Sequence, residues 1–286
     1  MAPRSVNVAA LSKPARRGAA ARSRAAVAPS RLRARSRGLA PAFALVAAFA
    51  LVCICRPVGA ASTGASADDD DCGEPRRLAG IDVSSYQGVI DWKRVRAAGV
   101  VFAFARVSDG LDVVDPRFAA NIAGMRRAGV RRGAYQYFRA GADPIAQANL
   151  AVRAVRHAGG VDLPLVADVE TDDGQTPELV QAQLRRWLAH VERRTGRRPI
   201  VYSSPSLGSR LLGGQFGDWR LWVAHYETDC PSLPDGWERW TFWQQAQAGR
   251  VDGILGPVDL DAFAGSRAAL RRLNKSRRKR NPSSPG

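Results

Sequence analysis

VVFAFARVS at residues 100–108, followed by DPRFAANIAGMRRAG at 115–129, sets a β-rich run directly before a helical one. Moving outward from this pair, the same unit recurs. LAGIDVS (78–84) leads into IDWKRVRAAG (90–99), and VRRGAYQYF (130–138) into DPIAQANLAVRAVRHAG (143–159). LPLVADVE (163–170) then precedes TPELVQAQLRRWLAHVERRTG (176–196), and PIVYSS (199–204) precedes the short SPSLGSRLLG (204–213). Asp115-Pro116, Asp143-Pro144 and Thr176-Pro177 each place a capping oxygen before a proline whose missing N–H costs nothing in a first helical turn. Gly99, Gly129, Gly159 and Gly196 close the helices. Beyond residue 213 the helical rhythm stops, and LWVAHY (221–226), WTFWQQAQ (240–247) and GPVDLDAF (256–263) read as three further strands. Five strand–helix units and three strands predict an α/β fold with a parallel sheet and right-handed crossovers. Eight strands are enough to close a barrel. An open doubly wound sheet is the alternative, but no glycine-rich phosphate loop follows the first strand, so a dinucleotide site has no support.

At 286 residues, 45% hydrophobic and 24% charged, the composition is that of a globular chain and excludes a fibrous or low-complexity protein. The net charge of +17 and pI near 11.0 would suggest a nucleic-acid binder if spread evenly. It is not: residues 1–60 hold 11 Lys and Arg and no acid, and 267–286 hold eight and no acid, leaving 24 bases against all 26 acids between. No nucleic-acid partner is expected. Residues 39–55 (LAPAFALVAAFALVCIC) are apolar, follow ten basic residues and precede Val58-Gly59-Ala60, which makes 1–60 a secretion leader. The alternative is a membrane anchor formed by 39–55. An acidic linker at 61–78, a catalytic domain at 79–266 and a basic disordered tail at 267–286 complete the organisation; the tail has the charge to touch anionic polymer or membrane. After leader removal Cys72 and Cys230 are the only cysteines, and an oxidising compartment favours their disulfide. Two cysteines and three scattered histidines offer no metal spacing, and no cofactor is expected.

The chemistry gathers where strands end. In Asp168-Val169-Glu170 the two-residue strand period puts both carboxylates on one face. Mutual repulsion and partial burial then raise the pKa of at least one, as glycosidic cleavage requires of a proton donor. Alone, the same pair serves equally as a cation site or a structural hydrogen-bonding pair. Asp82, Tyr137, Tyr202, Trp222, Tyr226, Trp243, Gln245 and Asp259 come to the same mouth from the other strands. Rings for the apolar face of a sugar, with carboxylates and amides for its hydroxyls, form a saccharide surface.

GIDVSSYQGVIDW (80–92), FARVSDG (104–110), GAYQYF (133–138), LPLVADVE, RRPIVYSS (197–204), LWVAHY, WTFWQQ and VDLDAF occur in the order seen in glycoside hydrolase family 25. From about residue 79 to 265 the chain resembles the muramidases (N-acetylmuramidase lysozymes) of that family. The resemblance implies a modified TIM-type barrel of five βα units and three strands, and hydrolysis of the bond from N-acetylmuramic acid to N-acetylglucosamine in peptidoglycan glycan strands. It makes Glu170 the general acid and Asp168 the stabiliser of the positively charged intermediate. Asp82 and Asp259 fall in the supporting acidic ring, and Tyr137 and Trp243 in the saccharide groove. It also implies net retention with the substrate's acetamido group as nucleophile. Arg106, Asp109, Gln136 and Asp261 depart from the commonest family pattern and bear on substrate contacts. A catalytically weak peptidoglycan-binding protein is the competing reading. A monomer is expected.

Overall fold

The computed structural model describes residues 77–274. Their strands are β1 (Arg77–Val83), β2 (Phe102–Asp109), β3 (Val113–Val114), β4 (Arg131–Tyr137), β5 (Leu165–Asp168), β6 (Ile200–Ser203), β7 (Arg220–Ala224), β8 (Phe242–Gly249) and β9 (Val258–Ala264). Helices α1 (Trp92–Ala97), α2 (Phe118–Ala128), α3 (Pro144–His157), α4 (Pro177–Thr195) and α5 (Pro205–Leu212) follow the five expected strands. The sheet runs β1-β9-β8-β7-β6-β5-β4-β2, and β1 pairs with β2 to close an eight-stranded barrel. β3 is a two-residue hairpin arm on β2. The barrel pairings from β1 through β8 are parallel, whereas β9 lies antiparallel to both β8 and β1. The chain therefore has the α/β modified barrel expected of it, with the open sheet excluded by the β1–β2 pairing.

Local chemistry explains the helix starts, with one correction. Asp143 accepts from the backbone N–H groups of Ile145 and Ala146, and the Thr176 hydroxyl from that of Leu179. Asp115 does not cap α2, which begins at Phe118 without a side-chain cap. Its carboxylate is drawn away, accepting from Ser85 N, Arg117 N and Arg106 Nε, and so ties the loop after β1 to β2.

The ends also differ from expectation. Arg77 and Leu78, which composition places in the linker, pair with Ala264 and Phe263 of β9 and belong to the barrel. Disorder is expected from residue 267, but Arg267–Arg272 forms helix α6, capped by Ser266. Apolar contact overrides the local arginine content, for Leu270 is buried among the rings of the barrel interior. The leader, the 39–55 segment and Cys72 lie outside the described residues. Among those described, no helix is long and apolar enough to cross a membrane.

Two cores follow from the two-residue alternation of the strands. One lies between sheet and helices and includes Trp187, Met125 and Trp243. The other fills the barrel, where Phe102, Phe104, Phe242 and Trp222 pack ring on ring; Phe104 stacks on Trp222 at 4.6 Å and meets Phe242 edge-on at 5.1 Å. Gly80 and Gly133 make room for these rings. A Cβ on Gly80 would stand 2.2 Å from Phe102, and one on Gly133 2.1 Å from Phe104. Since neither ring has space to retreat, Gly133→Ala is expected to lower stability by about 1–3 kcal/mol. Urea denaturation of the variant against the parent checks this, and an unchanged midpoint would mean that the interior is looser than its contacts imply.

Candidate active site

The parallel strands deliver their carboxyl ends to one rim of the barrel, and there a cleft of about 270 Å³ opens. β1 contributes Asp82, β5 Asp168 and the following Glu170, and β9 Asp259; Tyr137, Tyr202, Trp222 and Tyr226 complete the expected set that reaches it. Because β9 runs opposite to β1, Asp82 pairs directly with Asp259. The aromatic interior forms the floor, so the carboxyls nearest it have lost their water.

Burial orders the electrostatics. Asp82 and Asp168 are 5% and 4% exposed, while Glu170 stands exposed on the rim. Loss of water, and then the charge of Asp259, push the pKa of Asp82 well up. Loss of water, and then the charge of Glu170 and hydrogen bonding to it, do the same to Asp168. Asp259 is raised to about 6, chiefly by burial. One oxygen of Asp168, Oδ1, is buried without a hydrogen-bond partner. Arg106 is the one base among the lining residues; its Nε donates to Asp115 at 3.3 Å, and its guanidinium lies 5.1 Å from the centre of the Tyr86 ring.

Two sequence assignments are corrected by the course of β8, one by its parity and one by its register shift. Trp243 does not reach the groove. It is 1% exposed on the helix-facing side of β8, where its Nε1 donates to the His225 carbonyl and its ring packs on Trp240. Gln245 falls at the register shift between Gln244 and Ala246 and does not line the cleft either, whereas Gln247 beyond the shift does. The inward face of β8 is set by Phe242, so Gln244 takes the site position. Its Nε2 donates to Asp82 Oδ2 at 2.6 Å, and its Oε1 accepts from the hydroxyls of Tyr202 and Tyr226, both at 2.7 Å. One amide thus couples an acid to two rim tyrosines.

Tyr135, Arg106, Ser84 and Tyr86 also line the cleft, and reasoning from strand ends does not bring them there. Tyr135 shares the parity of Tyr137 on β4, which is the signal that finds it. Gln136, with the opposite parity, is wholly buried behind the sheet, donating to Ser108 Oγ and accepting from Trp187 Nε1. Asp109 is paired with Arg139 outside the cleft. Trp222 is only 2% exposed and serves as floor, its Nε1 donating to Asp261 Oδ1 at 3.0 Å. Cys230 lies in the exposed loop after β7. Among the described residues no cluster of His, Cys, Asp and Glu is arranged to hold a metal ion.

A closed α/β barrel whose carboxyl-end mouth holds paired acids among tyrosines is the architecture of a barrel glycosidase. The chain belongs to glycosyl hydrolases family 25, whose family model matches residues 81–254. YegX of Escherichia coli, itself uncharacterised, is 41% identical over 65% of this chain and 70% of its own. Lysozyme M1 of Streptomyces globisporus is 35% identical over 72% of this chain and 75% of its own. Among solved structures, the bacterial lysozyme from Streptomyces coelicolor superposes with a TM-score of 0.64 at 32% identity, over 70% of this chain and 98% of that one.

Beneath the mouth, Asp261 tests how dry the interior is. It is 2% exposed, Trp222 satisfies one oxygen, and Oδ2 has no partner. Burial, then the charge of Asp82, raise its pKa well above the carboxylate range. Between the ordinary value near 4 and that raised value the unfolded chain gives up a proton the folded chain keeps, so stability falls as pH rises. Asp261→Asn removes this loss. The variant is expected to exceed the parent by about 1 kcal/mol or more at alkaline pH, with the gap closing below the ordinary carboxylate pKa. Urea denaturation across pH checks it; a gap independent of pH would overturn the protonated assignment.

Proposed function

We propose that the chain is a secreted muramidase that hydrolyses the N-acetylmuramic acid to N-acetylglucosamine bond of peptidoglycan, with Glu170 as general acid. The observation that carries this reading is the contrast between neighbouring carboxyls. Glu170 stands exposed on the cleft's rim, whereas Asp168 is buried beside it with Oδ1 unpartnered. A buried acceptor without a partner is costly, and a substrate N–H that becomes positively charged during reaction is the partner it suits.

The reaction follows from those two roles. The substrate's acetamido oxygen bonds to the anomeric carbon as the glycosidic bond breaks, and the Glu170 proton passes to the departing oxygen. Asp168 holds the acetamido N–H, and the positive charge forming beside it offsets the burial that favours the neutral acid, so the carboxylate stabilises the resulting cation. Water then attacks the anomeric carbon, giving its proton to the Glu170 carboxylate and restoring the acetamido group with net retention. Asp82 and Asp259 support the ring, with Gln244 fixing Asp82, and Tyr137, Tyr202 and Tyr226 flank the sugar. The relatives named lysozyme support the substrate class. Export, the Cys72–Cys230 disulfide and the monomeric state are part of the same reading and rest on the leader and the cysteine count. The basic end of the chain, 275–286, is assigned only transient contact with anionic surfaces.

Purified protein is expected to lower the turbidity of isolated peptidoglycan and release new reducing ends, identified as muramic acid by mass analysis. Glu170→Gln should keep the parent's melting temperature and lose about 10²–10⁴ of the rate. Equal clearing by that variant would refute the assigned acid. Binding to peptidoglycan without new reducing ends from the parent would instead favour a wall-binding protein.

A further inference from the structure

The barrel is polarised end to end. Its mouth carries the acids; the opposite end, where helices finish and strands begin, carries arginine. Arg126 ends α2, Arg153 and Arg156 end α3, Arg193 and Arg194 end α4, and Arg197 opens the approach to β6. Of these six, Arg156, Arg194 and Arg197 meet around one cleft and Arg126 lies beside it. Arg156 Nη2 donates to the Arg194 carbonyl at 3.1 Å, and Arg126 Nη1 lies 3.0 Å from where a Cβ on Gly159 would stand, at the turn after α3. Arg156, Arg194 and Arg197 rim a cleft of about 250 Å³ whose walls include Val155, Val161 and Leu163.

Helix ends attract cations, so the excess needs a magnitude. Three helix C-termini contribute about half a negative charge each, well short of six guanidinium charges. Side-chain acids do not make up the difference. Asp162, whose charge also reaches Arg197, is held by Arg132 and neighboured by Arg131; Asp218 stands 4.0 Å from Arg198; and Glu192, in the last turn of α4, adds a single negative charge. None of the six is in an ion pair among the described residues. After burial, Arg193 and Arg194 are the groups that depress the pKa of nearby His190, as a locally positive field requires.

From this we infer that the end of the barrel opposite the catalytic mouth is a binding surface for a phosphodiester polyanion, seated on the cleft of Arg156, Arg194 and Arg197. Planar guanidinium forks take phosphate oxygens two at a time, which a lysine surface does not. A lipid surface fits less well. Among the described residues none of the exposed large apolar side chains, Leu179 and Leu255 included, lines the cleft of Arg156, Arg194 and Arg197, so nothing beside it is placed to enter a bilayer. With arginine and acid at opposite ends, an anionic wall polymer holds the protein without blocking the mouth. The choice of a wall polymer rests on the muramidase reading; binding to a polyphosphate chain does not.

The test titrates the full chain with poly(glycerol phosphate) oligomers, against vesicles of anionic phospholipid at matched phosphate. Polymer binding is expected, with affinity falling about tenfold or more between roughly 50 and 200 mM salt as counterions are released. Arg156→Gln/Arg194→Gln/Arg197→Gln in the full chain should weaken it at least about fivefold, with hydrolysis of a soluble glycan oligomer unchanged. Unchanged polymer affinity, as would follow if residues 275–280 carried the binding, overturns the proposal; so does tighter binding to vesicles than to polymer. Should the triple variant fail to fold, the exposed pair Arg126→Gln/Arg193→Gln is read in the same titration, and no loss of affinity there overturns it. Absence of glycan hydrolysis by the parent would count against the muramidase reading and leave polymer binding standing.

Discussion

The stacked rings of Phe102, Phe104, Phe242 and Trp222 inside the barrel are the constraint on which the rest depends. They exclude water from the interior up to the level of the strand ends, and they force Gly80 and Gly133 into the strands that face them. Carboxyls placed just above that floor are desolvated on one side. Asp82 and Asp168 are raised first by burial and only second by neighbouring charge, so the floor, more than mutual repulsion, sets their protonation. Glu170, two residues beyond Asp168 and past the end of β5, escapes to the rim. A carboxyl pair two residues apart thereby acquires two environments, one dry and one at the rim.

Gln244 links this floor to the rim. An amide is both donor and acceptor, so it satisfies Asp82 with its Nε2 while its Oε1 receives two tyrosine hydroxyls. A glutamate at this place would add a further charge to the acidic ring, and an apolar residue would leave Asp82 without its donor. The same side chain therefore orients the acid and both rim tyrosines. Arg106 supplies the positive counterweight from β2, anchored by Asp115.

Much of the fold is legible in the amino-acid order. Strand–helix alternation, Asp-Pro and Thr-Pro helix starts and glycine stops are local events, and they place five units and three strands in sequence. Asp115 is the exception: Oδ1 keeps a local bond from Arg117 N, but α2 begins only at Phe118, and Oδ2 goes to Ser85 and Arg106 outside the helix. The misassignments at the site both fall on β8: Trp243 on the phase of the strand, Gln245 on the register shift that follows Gln244. In Phe242-Trp243-Gln244-Gln245 two aromatics and two amides follow one another without a polar face, because a barrel strand buries both sides. Periodicity gives the alternation but neither its phase nor a bulge, so reading from the chain alone puts Trp243 on the face that belongs to Phe242 and Gln244, and carries Gln245 through the register shift that removes it from the site.

The chain's linear order thus determined which residues end strands, which acids stand two apart and that there are strands enough to close a barrel, all set by neighbours within a few positions. Tertiary structure alone decided which face of β8 looks inward, that Leu270 closes a segment whose composition reads as tail, and that arginines from three helix ends converge at the pole opposite the acids. These depend on packing and desolvation between segments distant in sequence, where the phase of a strand is chosen by whichever ring the opposite wall has room to accept.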